Sequence, residues 1–213
     1  MLLLAFQLHH SFVERSILEV NYIPNIDIDK MRLPLVILHD FAKIGESDRK
    51  LMIDDVLSSR RQHLIRDSSA YKSNNPIDID QTGLFSILYA KFAEKSEELF
   101  GNLNYESDNS DKCWAFCTNN EYWAFNPHIH DCTINSVYYL NVPKHNGHEC
   151  GPIMFTDDQD SGKWISYQPK NDDLIIFPGN LYHDPNFVPT DEWRISVNME
   201  IRCKNNIKWS AYK

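Results

Sequence analysis

The spacing of apolar residues changes its period near residue 110, and this constrains the fold of the 213-residue chain more than any other feature. Upstream, Ser47 is followed by Ile53, Val56, Leu57, Leu64 and Ile65 near helical spacing, with polar Arg60, Arg61 and Gln62 between them, which predicts an amphipathic helix. A second helix is predicted after Asp80 and Thr82. Leu84, Ile87, Leu88, Phe92 and Leu99 form its stripe, Lys91, Glu94, Lys95 and Glu98 face outward, and Gly101 ends it. Ahead of both, Leu33 to Leu38 suits a short buried strand. Met1 to Phe6 reads as a first strand rather than a secretory leader, since no basic residue precedes it and no small-residue cleavage site follows.

Beyond a polar loop over 102–111 the helical signal stops. Short runs bounded by Pro and Gly take over: Trp114 to Cys117, Tyr122 to Phe125, Ile134 to Val142, Ile153 to Thr156, Trp164 to Tyr167, Leu174 to Phe177, Phe187-Val188 and Arg194 to Arg202. That many strands in so few residues predict an antiparallel sandwich, jelly roll or barrel, with the helices bracing one sheet from outside. The helices lack a core-sized partner of their own, so one domain is expected over 1–213, residues 1–110 giving N-terminal strands and helices and 111–213 the strand-rich half.

With 42% hydrophobic and 24% charged residues, the chain has the composition of an ordinary globular domain. Its net charge of −9, with no Lys/Arg run longer than Arg60-Arg61, argues against a broad nucleic-acid surface. No apolar run is long enough to span a membrane. The odd number of cysteines, without a CxxC pair, argues against a disulfide framework, and the expected compartment is the cytoplasm.

Three histidines fall where a strand-built metal site needs them. His128 and His130 precede one strand run and point the same way if the backbone is extended, while His183 follows another. Neutral imidazoles suit iron, zinc, copper or nickel. The plainer alternative is a pair of loop histidines with an unrelated third. His145, His148 and Cys150 have zinc-like residue types but surround an Asn146-Gly147 turn, and Asp157, Asp158 and Asp160 make an acidic loop; both read as solvated.

The flanking sequence adds an ordered series: Pro127-His128-Ile129-His130, Ser136-Val137-Tyr138-Tyr139-Leu140-Asn141, Gly151-Pro152-Ile153-Met154-Phe155, Asp173 to Gly179, His183, and Arg194-Ile195-Ser196-Val197-Asn198. This resembles the Fe(II)/2-oxoglutarate-dependent dioxygenase superfamily, and within it the oxygenases of bacteria and phages that carry an H-x-H element. The resemblance covers about residues 113 to 203. It implies a mainly β fold with N-terminal helices, a double-stranded β-helix (jelly roll), and a hydroxylase using Fe(II), 2-oxoglutarate and dioxygen on an unidentified substrate. It gives Arg194, Ser196 and Tyr139 the role of holding the far carboxylate of 2-oxoglutarate, Tyr138 facing oppositely.

One departure stands out. The superfamily usually has a carboxylate two residues after its first metal histidine, and here that position is His130. Either His128, His130 and His183 form the site, or Asp131 reaches the metal through a bent backbone, or His130 is the first ligand with Cys132 or water in the carboxylate position; alternation favours the first. Two other functions fit a jelly roll with three histidines: a cupin-like metalloprotein that does not use 2-oxoglutarate, and a noncatalytic binding module.

Overall fold

Period-two alternation sorts the side chains of a five-stranded sheet onto two buried faces, and this sorting creates the site. The computed structural model describes residues 33–64, 83–106, 113–121 and 126–209. All lie within one compact unit, Arg32–Lys213. The elements run β1 (Val36–Leu38), α1 (Glu46–Leu64), α2 (Gly83–Phe100), β2 (Cys113–Thr118), β3 (Ile134–Asn141), β4 (Lys144–His145), β5 (His148–Glu149), β6 (Ile153–Thr156), β7 (Ile165–Tyr167), β8 (Leu174–Pro178), β9 (Tyr182–Pro185) and β10 (Arg194–Ile201).

The larger sheet has the order β1-β8-β3-β10-β2 and the smaller β7-β6-β9, every pairing antiparallel. On the outer face of the larger sheet, Ile134, Tyr138, Leu140, Leu174, Ile176, Ile195, Val197, Met199 and Ile201 pack with Met52 and Val56 of α1 and Phe85, Leu88 and Phe92 of α2. On its inner face Val137, Tyr139, Ile175 and Phe177 meet Ile153 and Phe155 of the smaller sheet. This is a double-stranded β-helix braced by two helices, the predicted fold. Among the described residues, no helix is long and apolar enough to cross a membrane.

The last strand departs from an ordinary core. Its outward residues are apolar, but its inward residues Arg194, Ser196, Asn198 and Glu200 are polar and buried all the same. A β-bulge lies where β10 begins: Ile195 pairs with Asn141 and Ser196 with Tyr139, which leaves Leu140 as the extra residue. Arg49 of α1 donates to the Leu140 carbonyl at 2.8 Å, and the Asn141 side-chain amide donates to the Trp193 carbonyl at 2.6 Å. The bulge thus fixes the backbone just before Arg194.

Several expectations shift in detail. The Phe187-Val188 run is not a strand; the strand is Tyr182–Pro185, whose polar residues gave no apolar signal. The α2 seam runs through Phe85, Leu88 and Phe92, leaving Ile87 exposed. Arg60, expected on the polar face of α1, is buried with its guanidinium 3.8 Å from the Trp193 ring centroid, a cation–π contact. His145 and His148 face each other across an exposed two-residue hairpin, and Asp158 caps a single 3-10 turn by accepting from the Asp160 amide. Cys113 and Cys117 are small buried residues on the outer-core side of β2. The strands expected over Met1 to Phe6 and Tyr122 to Phe125 lie outside the described residues.

A turn carboxylate ties the outer layer together. Asp172, in the left-handed region at φ 71°, accepts from the Ala42 amide at 3.1 Å, the Lys43 amide at 2.8 Å and the Tyr138 hydroxyl at 2.6 Å. Removing it strands three donors, each costing about 1–3 kcal/mol when left buried and unsatisfied. Asp172→Ala is expected to lose about 3 kcal/mol in denaturant unfolding, and Asp172→Asn, which tolerates this backbone and keeps an acceptor, markedly less.

Candidate metal centre

His128 and His183 are opposed across an antiparallel bridge, each amide donating to the other's carbonyl at 3.2 and 3.1 Å. Side chains opposed in this way rise from the same face, and the two ring centroids lie 4.5 Å apart. His130 is placed by its own amide, which donates to the Gly179 carbonyl at 2.8 Å. Gly179 has to be glycine: a Cβ there would collide with the Cys132 carbonyl and lie 2.8 Å from the His130 carbonyl. The turn after β8 and the His130 segment therefore nest backbone against backbone.

The nitrogen atoms of the three rings divide into two sets. Nδ1 of His128 donates to the Asn126 carbonyl at 2.9 Å, Nδ1 of His183 to the Leu181 carbonyl at 3.1 Å, and Nδ1 of His130 contacts Glu200 Oε1 at 2.6 Å. Each acceptor favours a proton on Nδ1, the tautomer that turns the Nε2 lone pair toward a metal. Nε2 of His130 and Nε2 of His183 stand 3.2 Å apart, and one nitrogen from each of the three rings lies within 4.8 Å of the others. Two lone pairs at that distance repel unless a cation or proton sits between them. Nitrogens bound at right angles to one ion, with bonds of about 2.1 Å, would be about 3.0 Å apart, so the pair is already spaced for a shared metal.

The surroundings are aromatic on one side of the site and open on the other. His183 packs against Phe177, centroids 4.8 Å apart, and Trp114 lies 5.5 Å from His130. His128 is half-buried beside Ile129, an exposed large hydrophobic residue. Burial, aided by His128 and His130, pushes the His183 pKa down to about 3, so this imidazole stays uncharged at neutral pH.

Asp131 does not join the group. Its side chain is fully exposed and pairs with Arg202 at 3.2 Å. Cys132 is half-buried, its backbone and sulfur against the Gly179 turn. Of the three ligand sets left open by the sequence, the geometry brings together His128, His130 and His183, the one metal-type group of three among the described residues.

Further along the inner face, Arg194 is buried, with one terminal nitrogen donating to the Gly151 and Pro152 carbonyls at 2.8 and 3.2 Å. Gly151, at φ 80°, packs so closely over its stem that a Cβ there would lie 3.0 Å from Arg194 Cδ. The Nε–H on the opposite edge of the guanidinium has no partner, nor does the fully buried Tyr139 hydroxyl. Burial raises the Tyr139 pKa, with Arg194 opposing it and Asp173 reinforcing it, so the phenol remains a donor. Ser196 lies on the same face, paired across the ladder with Tyr139. Tyr138 points to the opposite layer, where Asp172 takes its hydroxyl. An anion with acceptor oxygens fits the Arg194 end, as three converging imidazoles fit a cation at the other.

Sequence reasoning missed Glu200, Asn126 and Leu181, the acceptors that orient the rings. Glu200 had a readable signal, since Arg194, Ser196, Asn198 and Glu200 alternate along an otherwise apolar strand.

Residues 112–200 match a family described as "Putative 2OG-Fe(II) oxygenase". No curated protein matches the sequence. Among solved structures, a prolyl hydroxylase from Trichoplax adhaerens, in complex with a hypoxia inducible factor peptide fragment, shares 17% identity over 80% of this chain and 84% of that one, TM-score 0.56. HygX from Streptomyces hygroscopicus, with nickel and 2-oxoglutarate bound, shares 8% identity over 85% and 86% of the two chains, TM-score 0.56. A Pseudomonas putida prolyl-4-hydroxylase shares 16% over 81% and 89%, TM-score 0.50. These likenesses are of fold; the match over the strand half, where the three histidines and Arg194 lie, carries the assignment. Over residues 112–200 the chain is thus similar to the 2-oxoglutarate- and Fe(II)-dependent oxygenases.

The His183 shift has a consequence for stability. In the unfolded chain this imidazole takes a proton near pH 6.5, so between about pH 6.5 and 3 the unfolded state binds more protons and the residue's contribution falls as pH falls. Asp184 beside it acts oppositely: burial, partly offset by the Asn126 amide and by Arg194, raises its pKa to about 7, so its contribution falls as pH rises. A comparison of variants separates the two. In chelator-treated protein, the unfolding free energy of His183→Gln relative to wild type is expected to shift in the variant's favour by about 1–2 kcal/mol between pH 7 and pH 5.

Proposed function

We propose that the protein is a hydroxylase that holds Fe(II) on Nε2 of His128, His130 and His183 and the far carboxylate of 2-oxoglutarate on Arg194, Tyr139 and Ser196. The observation that carries this reading is the arrangement between the two sheets: three imidazoles whose Nδ1 atoms each face a fixed acceptor, and a buried arginine with an unpartnered N–H beside an unpartnered phenol. The bound pair supplies coupled oxidation, in which an organic substrate, dioxygen and 2-oxoglutarate give hydroxylated substrate, succinate and carbon dioxide.

The chain's own residues bind, orient and exclude water. Glu200 and the two carbonyls keep the rings in one tautomer and one rotation. Arg194 keeps its charge and offers a planar edge to a carboxylate, held in place by the Gly151 and Pro152 carbonyls. Phe155, Phe177 and Trp114 keep water away from the buried side of the histidines. Three histidines would bring one less negative charge to a divalent ion than two histidines and a carboxylate, so they would hold it less tightly and favour an anionic cosubstrate beside it.

Two measurements test this. Anaerobic Fe(II) plus 2-oxoglutarate is expected to give a visible charge-transfer absorption, and aerobic incubation to release succinate above a His183→Ala control; absence of both would leave the metal without its cosubstrate and favour the cupin-like reading. Arg194→Ala should retain metal and bind 2-oxoglutarate about tenfold to a hundredfold more weakly, since a charge-assisted pair contributes about 1.5–3 kcal/mol.

Metal content of folded variants tests the ligand set. Asp131→Ala is expected to keep its metal and His130→Ala to lose most of it. The reverse result would restore the carboxylate site usual in the superfamily.

A further inference from the structure

Three buried polar atoms on the inner sheet face lack a partner near the strand bulge: Arg194 Nε, the Tyr139 hydroxyl and Thr118 Oγ1. The first two belong to the anion end already described. Thr118 is the last residue of β2, directly opposite Arg194 in the antiparallel register. The faces of β2 place its side chain with them: Cys113, Ala115 and Cys117 pack into the outer core, so Trp114, Phe116 and Thr118 turn to the inner face, opposite Asn198, Ser196 and Arg194.

Opposed side chains in such a pair have Cβ atoms about 5 Å apart, which puts a short hydroxyl beside the arginine stem. The position is held firmly. The Asn119 side chain donates to the Asp191 carbonyl at 3.2 Å and the Asn120 amide to the Thr190 carbonyl at 2.9 Å, tying the end of β2 to the segment that leads into Arg194.

A buried hydroxyl with no partner is destabilising, and valine would fill the same volume on a strand without that penalty. A ligand carboxylate offers about four acceptor positions, more than Arg194 and Tyr139 use. We propose that Thr118 is a further binding residue for the cosubstrate, its hydroxyl donating to the far carboxylate of 2-oxoglutarate beside Arg194 and Tyr139. This rests on the oxygenase reading above.

Calorimetric titration of Mn(II)-loaded protein tests it with two ligands: 2-oxoglutarate, and oxalate, which chelates a metal but has no far carboxylate. Thr118→Val is expected to bind 2-oxoglutarate about tenfold more weakly while binding oxalate as wild type does, and Thr118→Ser to recover most of the loss. Unchanged 2-oxoglutarate affinity in Thr118→Val overturns the proposal and leaves the oxygenase reading standing. An equal loss for both ligands also overturns it, because the role of Thr118 is then structural. If wild-type protein binds oxalate but not 2-oxoglutarate, the oxygenase reading itself fails, and the Thr118 assignment fails with it.

Discussion

Burying a row of polar side chains on one strand face carries a desolvation cost that only partners or a ligand can offset. Strand β10 does this with Arg194, Ser196, Asn198 and Glu200, while its other face anchors the outer core. The two functional ends of the inner face hang from this one element. Glu200 takes the Nδ1 of His130 at one end, and Arg194 presents an unpartnered Nε–H at the other. The strand's length therefore sets the spacing between the histidine cluster and Arg194, and its apolar side keeps that spacing rigid.

The metal end is built almost entirely from backbone geometry. Reciprocal amide–carbonyl bonds pair His128 with His183, and the Gly179 turn receives the His130 segment at a distance no side chain would permit. Side-chain choice enters mainly through the acceptors behind the rings. That division lets His130 stand beside His128 and His183 without disturbing the fold: the backbone fixes the direction of its ring, and the Glu200 carboxylate holds its Nδ1 from behind at 2.6 Å.

Much of this was legible in the chain. The loss of helical period near residue 110 marks the boundary between brace and jelly roll, and the alternation in Arg194 to Ile201 is read directly as a strand with two different faces. What escaped reading did so for physical reasons. The strand that carries His183 consists of Tyr182, His183, Asp184 and Pro185, so hydropathy pointed instead to the nearby Phe187-Val188. Arg60 was assigned to solvent by its charge, yet its guanidinium lies over the Trp193 ring, an attraction with no periodic signature. The orienting acceptors Asn126 and Leu181 act through carbonyls that every residue has, so no residue type could have announced them.

The Arg60–Trp193 contact gives the helical layer a second role. Trp193 immediately precedes Arg194, and its carbonyl is held by Asn141 while its ring is covered from α1. Fraying of α1 on warming would free that ring and loosen the cation beside it before either sheet opens. The backbone around Arg194 would thus soften at a lower temperature than the histidine cluster, making the helix a thermal fuse on one end of the inner face.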